Sequence, residues 1–372
     1  MKKLLITSTD LMMIQFLVPH VRYLSENGFQ VEIACSEVGG RMEEVRTAVA
    51  GYARAVHVVR LKRSPFSGEN LRGYRDMKQL LAENHYDIIW TNEPVMGVVT
   101  RLAARHARKK GTKVLYMCHG FHFYKGAPMQ NWLVYYPVER IMSRFTDVIV
   151  TINREDEARA KKMHAKEVQY IHGIGVNTAR LQNQENRNDI RRELGVPEDA
   201  FLVLSVGELN ENKNHQCIIK AVSRLADPRI HYVICGKGVL LSQLEALTKD
   251  LRIEDRVHFL GYRKDVVDIC AQSDVFAFPS QREGLGLAPL EAMFCGLPLI
   301  ASDIRGVQDY VCDSRNGFLR QPMDDVGFAQ ALKHLVADEE LRVHFGKDNR
   351  ELVLPYCLDR VQGEILTLLE EL

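Results

Sequence analysis

None of the eight cysteines in this 372-residue sequence stands in a Cys-x-x-Cys pair, so neither a zinc site nor a disulfide framework is indicated. They read as reduced, mostly buried thiols of a cytosolic protein. Long apolar runs are missing too. Nothing approaches the roughly 20 residues that span a bilayer, and the short run after Lys3 reads as a first strand, not a signal peptide. Net charge is nearly absent, at +1, but its balance is uneven. Residues 1–180 carry 27 Lys and Arg against 17 Asp and Glu, and the rest carries 22 against 31. A basic first half suggests an anionic partner such as nucleic acid, a lipid headgroup surface or a phosphorylated acceptor, with scattered surface charge as the plainer alternative. Within it, Arg101, Arg105 and Arg108 fall at helical spacing beside Lys109 and Lys110, a face that suits anionic lipid or simply water.

A chain of this length favours two domains over one core. Strand-like runs alternate with helical stretches throughout. Lys2–Thr7, Gln30–Ala34, Ala55–Val59, Asp87–Trp90, Lys113–Met117 and Asp147–Thr151 predict an open parallel sheet, with helices over Ile14–Asn27, Leu71–Asn84, Val95–Lys110 and Gln130–Phe145. The glycine-interrupted junction Ile171–Asn177 and the polar stretch Gln182–Asp189 mark the crossover. A second series follows in Phe201–Val206, Ile230–Cys235, Val257–Leu260, Asp274–Phe278 and Leu297–Ala301. The fold class is therefore α/β, with two tandem Rossmann-like domains at 1–175 and 176–355.

The stretch Pro279–Asp303 carries the most chemistry. Gly284 and Gly286 break the chain between a buried strand and a helix that has Pro289 in its first turn. Unpaired amides near Gly286 and Leu287, at the positive end of the helix dipole, suit a phosphate. Glu283 and Glu291 bracket that point and, ionised, accept hydrogen bonds from sugar or ribose hydroxyls. A second loop, Gly207–His215, brings Lys213 to a helix entrance, where a cation neutralises a leaving diphosphate. Gly236-Lys237-Gly238 is a weaker signal, better read as a tight turn.

Taken together, Glu283, Gly284, Gly286, Pro289, Glu291 and the following strand resemble the donor-site signature of retaining, GT-B-fold nucleotide-sugar glycosyltransferases of the family 4 type. The resemblance implies Glu283 at the transferred sugar, Glu291 on the ribose, the Gly286 and Leu287 amides with Lys213 at the diphosphate, and Gly207, Gly261, Tyr262 and Gly284 around the nucleotide. It also implies a cleft between the domains and a terminal helix, 356–372, returning to the first domain. His119, directly after the strand Lys113–Met117, matches a histidine that reaches the donor sugar, whereas His122 reads as a packed loop residue. The catalytic set is then His119, Lys213 and Glu283.

Two departures stand out. The first loop, Ser8–Met13, lacks the glycines with which many relatives approach the donor phosphate. Glu208 replaces the arginine of the Gly-Arg-Leu-x-x-x-Lys motif, so that either Arg282 or Lys125 supplies the second cation or Glu208 points away. With no Asp-x-Asp anywhere, metal-free stabilisation is expected and no cofactor is implied. The expected activity is transfer of a hexosyl unit from a UDP-sugar to an acceptor hydroxyl. The acceptor is a glycan or lipid-linked sugar in surface polysaccharide synthesis, not nucleic acid, met by a cytoplasmic protein peripheral to an anionic membrane face. A sugar-nucleotide 2-epimerase and a catalytically silent subunit are the alternatives.

Overall fold

The computed structural model describes residues 1–40, 42–178 and 189–372. Part of the expected crossover, 182–188, lies outside them. The chain packs as two units, one of Met1–Ile174 with Asp359–Leu372 and one of Gly175–Leu358.

In the first unit, strands β1 (Lys3–Ser8), β2 (Gln30–Cys35), β3 (Ala53–Val58), β4 (Ile88–Asn92), β5 (Lys113–Cys118), β6 (Val148–Thr151) and β7 (Glu167–Tyr170) form one sheet, ordered β3-β2-β1-β4-β5-β6-β7. Every pairing is parallel. Central strands covered on both faces read as unbroken apolar runs: Leu4, Leu5, Ile6, Ile89 and Ile149 are wholly buried. The strand order reverses between β1 and β4, the point where such sheets place ligands. Helix Leu358–Glu371 belongs here, burying Val361, Ile365, Leu368 and Leu369.

The second unit holds β8 (Phe201–Val206), β9 (Ile230–Cys235), β10 (Val257–Gly261), β11 (Val275–Phe278), β12 (Leu299–Ser302) and β13 (Gly317–Arg320), ordered β10-β9-β8-β11-β12-β13. Its switch point lies between β8 and β11. The loops leaving those two strands are the ones that carry Lys213 and Glu283.

The structure corrects the expected basic face. The segment Val95–Lys110 is two helices, Pro94–Ala103 and Arg105–Lys109, so Arg101 and Arg108 do not share one continuous stripe. Arg101 is wholly buried. Its guanidinium bonds Glu139 Oε2 at 2.9 Å and lies 3.9 Å from the centre of the Tyr116 ring. Arg108 is paired with Asp147 at 2.8 Å, and Arg105 lies over Phe145. Burial selects charges with partners, so two of the five cations are internal structure.

Candidate active site

Backbone proximity shapes the loop after β8. A Cβ on Gly236 would stand 1.7 Å from the Gly207 carbonyl oxygen, and one on Gly238 2.3 Å from that of Leu209, so only glycine fits at the end of β9. This is close packing of two loops, beyond the tight turn expected from Gly236-Lys237-Gly238. The Lys213 side chain lies across Gly207, its Cδ 3.3 Å from where a Cβ would be. Asn210 Oδ1 accepts the Lys213 amide at 3.0 Å. Asn214 follows in the left-handed region, φ 54°, which asparagine tolerates.

Several hydrogen bonds stitch this loop to the one after β11. Asn214 Nδ2 donates to the Pro279 carbonyl at 3.1 Å, the Gln281 amide to Asn212 O at 2.7 Å, and Asn212 Nδ2 to Arg282 O at 3.1 Å. The result is a partly buried ion pair, Lys213 Nζ to Glu283 Oε1 at 2.6 Å, with the ammonium 5.1 Å from the centre of the Phe278 ring. Below it, His215 Nδ1 meets Tyr232 Oη at 3.0 Å, and that hydroxyl donates to Ser205 Oγ at 2.9 Å. Burial, and secondarily the Lys213 charge, lower His215 to about 4. It is a neutral prop beneath the loop.

Glycines also shape the helix start. Gly286 adopts φ 87°, and helix Leu287–Cys295 begins with no side-chain cap. Its first-turn amides therefore keep their positive potential for a ligand. Arg305 Nε donates to Glu283 O at 3.2 Å, Tyr310 Oη to Leu285 O at 2.9 Å, and Gly306, at φ 76°, packs against Gly284 so closely that a Cβ would stand 2.4 Å from its carbonyl oxygen. Sequence reading missed this support, although an Arg-Gly pair just past a strand end was a signal for it.

The two loops thus bring Gly207, Lys213, Glu283, Gly284, Gly286 and Leu287 together, with Glu291 one turn into the helix. The Arg282 side chain is exposed. Glu208 is exposed too, its carboxylate accepting from Asn210 Nδ2 at 3.1 Å. Gly261, at φ 64°, ends β10, two strands from β8, or about 10 Å along the sheet, and the largely exposed Tyr262 follows it.

His119 lies in the other unit, at the end of β5. Its Nε2 is 2.9 Å from Asn92 Oδ1, and Asn92 Nδ2 donates to Thr7 O at 3.1 Å, which fixes the amide's orientation. An amide oxygen only accepts, so Nε2 carries the proton and Nδ1 is an acceptor. His122 stacks on Tyr135 at 4.5 Å. Sequence reading missed Asn92 and also Glu93, which stands at φ 62° before helix Pro94–Ala103. The Glu93 carboxylate accepts from the Thr9 amide at 2.7 Å, the Asp10 amide at 3.0 Å and the Ser8 hydroxyl. The first-loop amides that would meet a phosphate are therefore occupied by the protein's own anion. Burial raises the Glu93 pKa against those bonds.

Burial, and secondarily His20, lower His119 to about 4; burial alone brings His20 to about 4 against its bond to the Ile174 carbonyl. Both folded values lie below the unfolded value of about 6.5, so between the two the unfolded chain binds more protons. Stability is expected to be full above that window and to fall as pH drops through it. Denaturant midpoints measured from neutral pH downward test this, with His20→Gln flattening the slope; a midpoint constant across the window contradicts it.

The fold is shared with solved structures. The crystal structure of Anabaena Alr3699/HepE in complex with UDP and glucose matches with a TM-score of 0.82 at 20% identity, covering 100% of both chains. WaaG, a glycosyltransferase involved in lipopolysaccharide biosynthesis, matches at 0.73 and 17% identity, over 98% of this chain and 99% of its own. Paired parallel-sheet units of this kind define the GT-B class of glycosyltransferases. Residues 17–180 match the family described as Glycosyltransferase Family 4, and residues 186–352 match Glycosyl transferases group 1. EpsD of Bacillus subtilis, which carries a glycosyltransferase name, is 37% identical over 371 residues, 98% of this chain and 95% of its own. The Escherichia coli UDP-Gal:alpha-D-GlcNAc-diphosphoundecaprenol alpha-1,3-galactosyltransferase is 29% identical over 328 residues, 86% and 83% of the two chains. This chain belongs to the family 4 type of GT-B glycosyltransferases and is a transferase; the epimerase alternative is not favoured.

Proposed function

We propose that the enzyme moves a hexosyl unit from a UDP-sugar to a hydroxyl of a lipid-linked glycan, with retained anomeric configuration, at the cytosolic membrane face. The observation that carries this reading is the Lys213–Glu283 pair at 2.6 Å beside the uncapped start of helix Leu287–Cys295, on the switch point of the second unit. In the reaction the bond from the anomeric carbon to the β-phosphate oxygen breaks and its electron pair leaves on the diphosphate, while the acceptor oxygen bonds to the anomeric carbon and its proton passes to the released diphosphate or to solvent. Lys213 and the Gly286 and Leu287 amides take up that charge without a metal. Glu283 accepts from the transferred sugar and Glu291 from the ribose. Gly261 and Tyr262 sit toward the base, and Arg282 is the candidate second cation. His119 offers Nδ1 as acceptor to a sugar hydroxyl.

The first unit is the acceptor domain in this reading. A cavity of about 490 Å³ opens there, where Thr9, Arg63, Glu93 and His122 stand among Val98 and Val138. Such a mix of polar head positions and apolar wall suits an amphiphilic acceptor. The lipid-linked acceptor in the name of the Escherichia coli relative supports the same class.

A panel of UDP-sugars, with and without a lipid extract of membranes, tests the proposal. Label is expected to move into the lipid fraction with one donor, and slow UDP release without acceptor. Appearance of an epimerised sugar nucleotide, or no change in any donor, refutes it.

A further inference from the structure

We propose that the exposed face of helix Met129–Met142 is a docking surface for an anionic phospholipid bilayer. Met129, Leu133 and Ile141 are 72%, 71% and 52% exposed, and Val134 and Val138 are exposed as well. At about 100° per residue Leu133, Val134, Val138 and Ile141 fall within roughly 140° of the helix circumference, with Met129 about 40° further round. Apolar side chains scattered singly on a surface need no explanation, but a contiguous stripe does. Among the described residues no other large exposed apolar side chain lies between Leu71 and Met129, so the cationic segment near Arg105 has nothing to insert.

Charge selects the occupant. Glu139, the helix's one carboxylate, is buried against Arg101, so the exposed side carries no acid. Arg140 and Arg144 are exposed beside Ile141, and with His164 they line a cavity of about 360 Å³ at the carboxyl end of the stripe. An apolar stripe flanked by guanidinium groups is the pattern of a helix lying in the plane of an anionic interface, its side chains in the acyl boundary and its arginines among headgroups. A second copy of the chain is a poorer fit, because this face has no carboxylate with which to pair those arginines. The inference deepens the reading above, on which the purpose of the contact rests: a lipid-linked acceptor lies in such a bilayer.

Flotation of the full chain with phosphatidylglycerol-containing vesicles and with phosphatidylcholine vesicles tests it. The parent is expected to float with the anionic vesicles. Leu133→Asp combined with Ile141→Asp should lower the bound fraction about tenfold or more, with thermal unfolding unchanged. Arg140→Glu combined with Arg144→Glu should abolish the preference for anionic lipid, and Lys109→Glu with Lys110→Glu should leave binding as in the parent. Four results overturn the inference: no flotation of the parent, full flotation of the Leu133, Ile141 variant, loss of binding only in the Lys109, Lys110 variant, or a dimer that the Leu133, Ile141 variant dissolves without any flotation. UDP release from the soluble donor, measured without vesicles, separates the two proposals. Turnover without flotation sinks the docking surface alone, and flotation without turnover sinks the UDP-sugar reading alone.

Discussion

Replacing Lys213 by alanine is expected to lower turnover about 100- to 1000-fold, the usual loss when one preorganised charge is taken from a developing anion. The geometry gives two reasons for a large effect. Lys213 is held at the switch point, its stem laid across Gly207 and its ammonium over Phe278. It is also the counter-ion of Glu283, so its loss strands a partly buried carboxylate next to the site of an incoming diphosphate. Addition of EDTA to the parent should change nothing. Turnover of the variant within an order of magnitude of the parent contradicts the assignment, and parent activity that vanishes with EDTA and returns with magnesium or manganese contradicts metal-free stabilisation.

Binding, not turnover, reports on Glu291. Loss of a charge-assisted hydrogen bond costs about 1.5–3 kcal/mol, a factor of roughly 10 to 150 in Kd. Glu291→Gln is isosteric, and the position is only half-buried on helix Leu287–Cys295. Thermal unfolding without ligand should therefore stay near the parent's, while UDP titrated by calorimetry binds more weakly. Equal affinity in variant and parent would remove the ribose from Glu291 and leave the helix start as the only donor contact on that element.

The sequence made the second unit easier to read than the first. Its β8 and β9 were legible to the residue, because strands buried on both faces show as continuous apolar runs, here each stopped by a glycine. The Pro279–Asp303 stretch was legible for a related reason: strand, glycine turn and helix start are all local. Strands β7 and β13 were harder. Glu167-Val-Gln-Tyr170 is half-exposed and polar, and β13 begins on a glycine and ends on an arginine, with only its first two residues buried. Long-range pairing was invisible. Arg101 reads as a surface cation until Glu139, 38 residues on, is folded against it. Glu93 is not singled out in the sequence at all, and only the fold carries it to the Thr9 amide, 84 residues back. Local patterns report neighbours within a turn or a strand, whereas a buried charge is defined by a partner far along the chain.

The return of helix Leu358–Glu371 to the first unit ties the completion of that unit to the order of synthesis. A chain leaving the ribosome folds domain by domain from its amino end. Here the first unit cannot be covered that way. Lys2 Nζ donates to the Leu369 carbonyl at 3.1 Å across a separation of 367 residues, and the surface that receives Val361, Ile365 and Leu368 stays open while the whole second unit is made. Such late, non-local closure is the slow kind, because a long loop must be ordered before the contact rewards it. The nascent protein therefore passes through a stage with one unit finished and the other greasy on one side, which is the stage at which chaperone capture and mispairing with a neighbouring chain compete with folding.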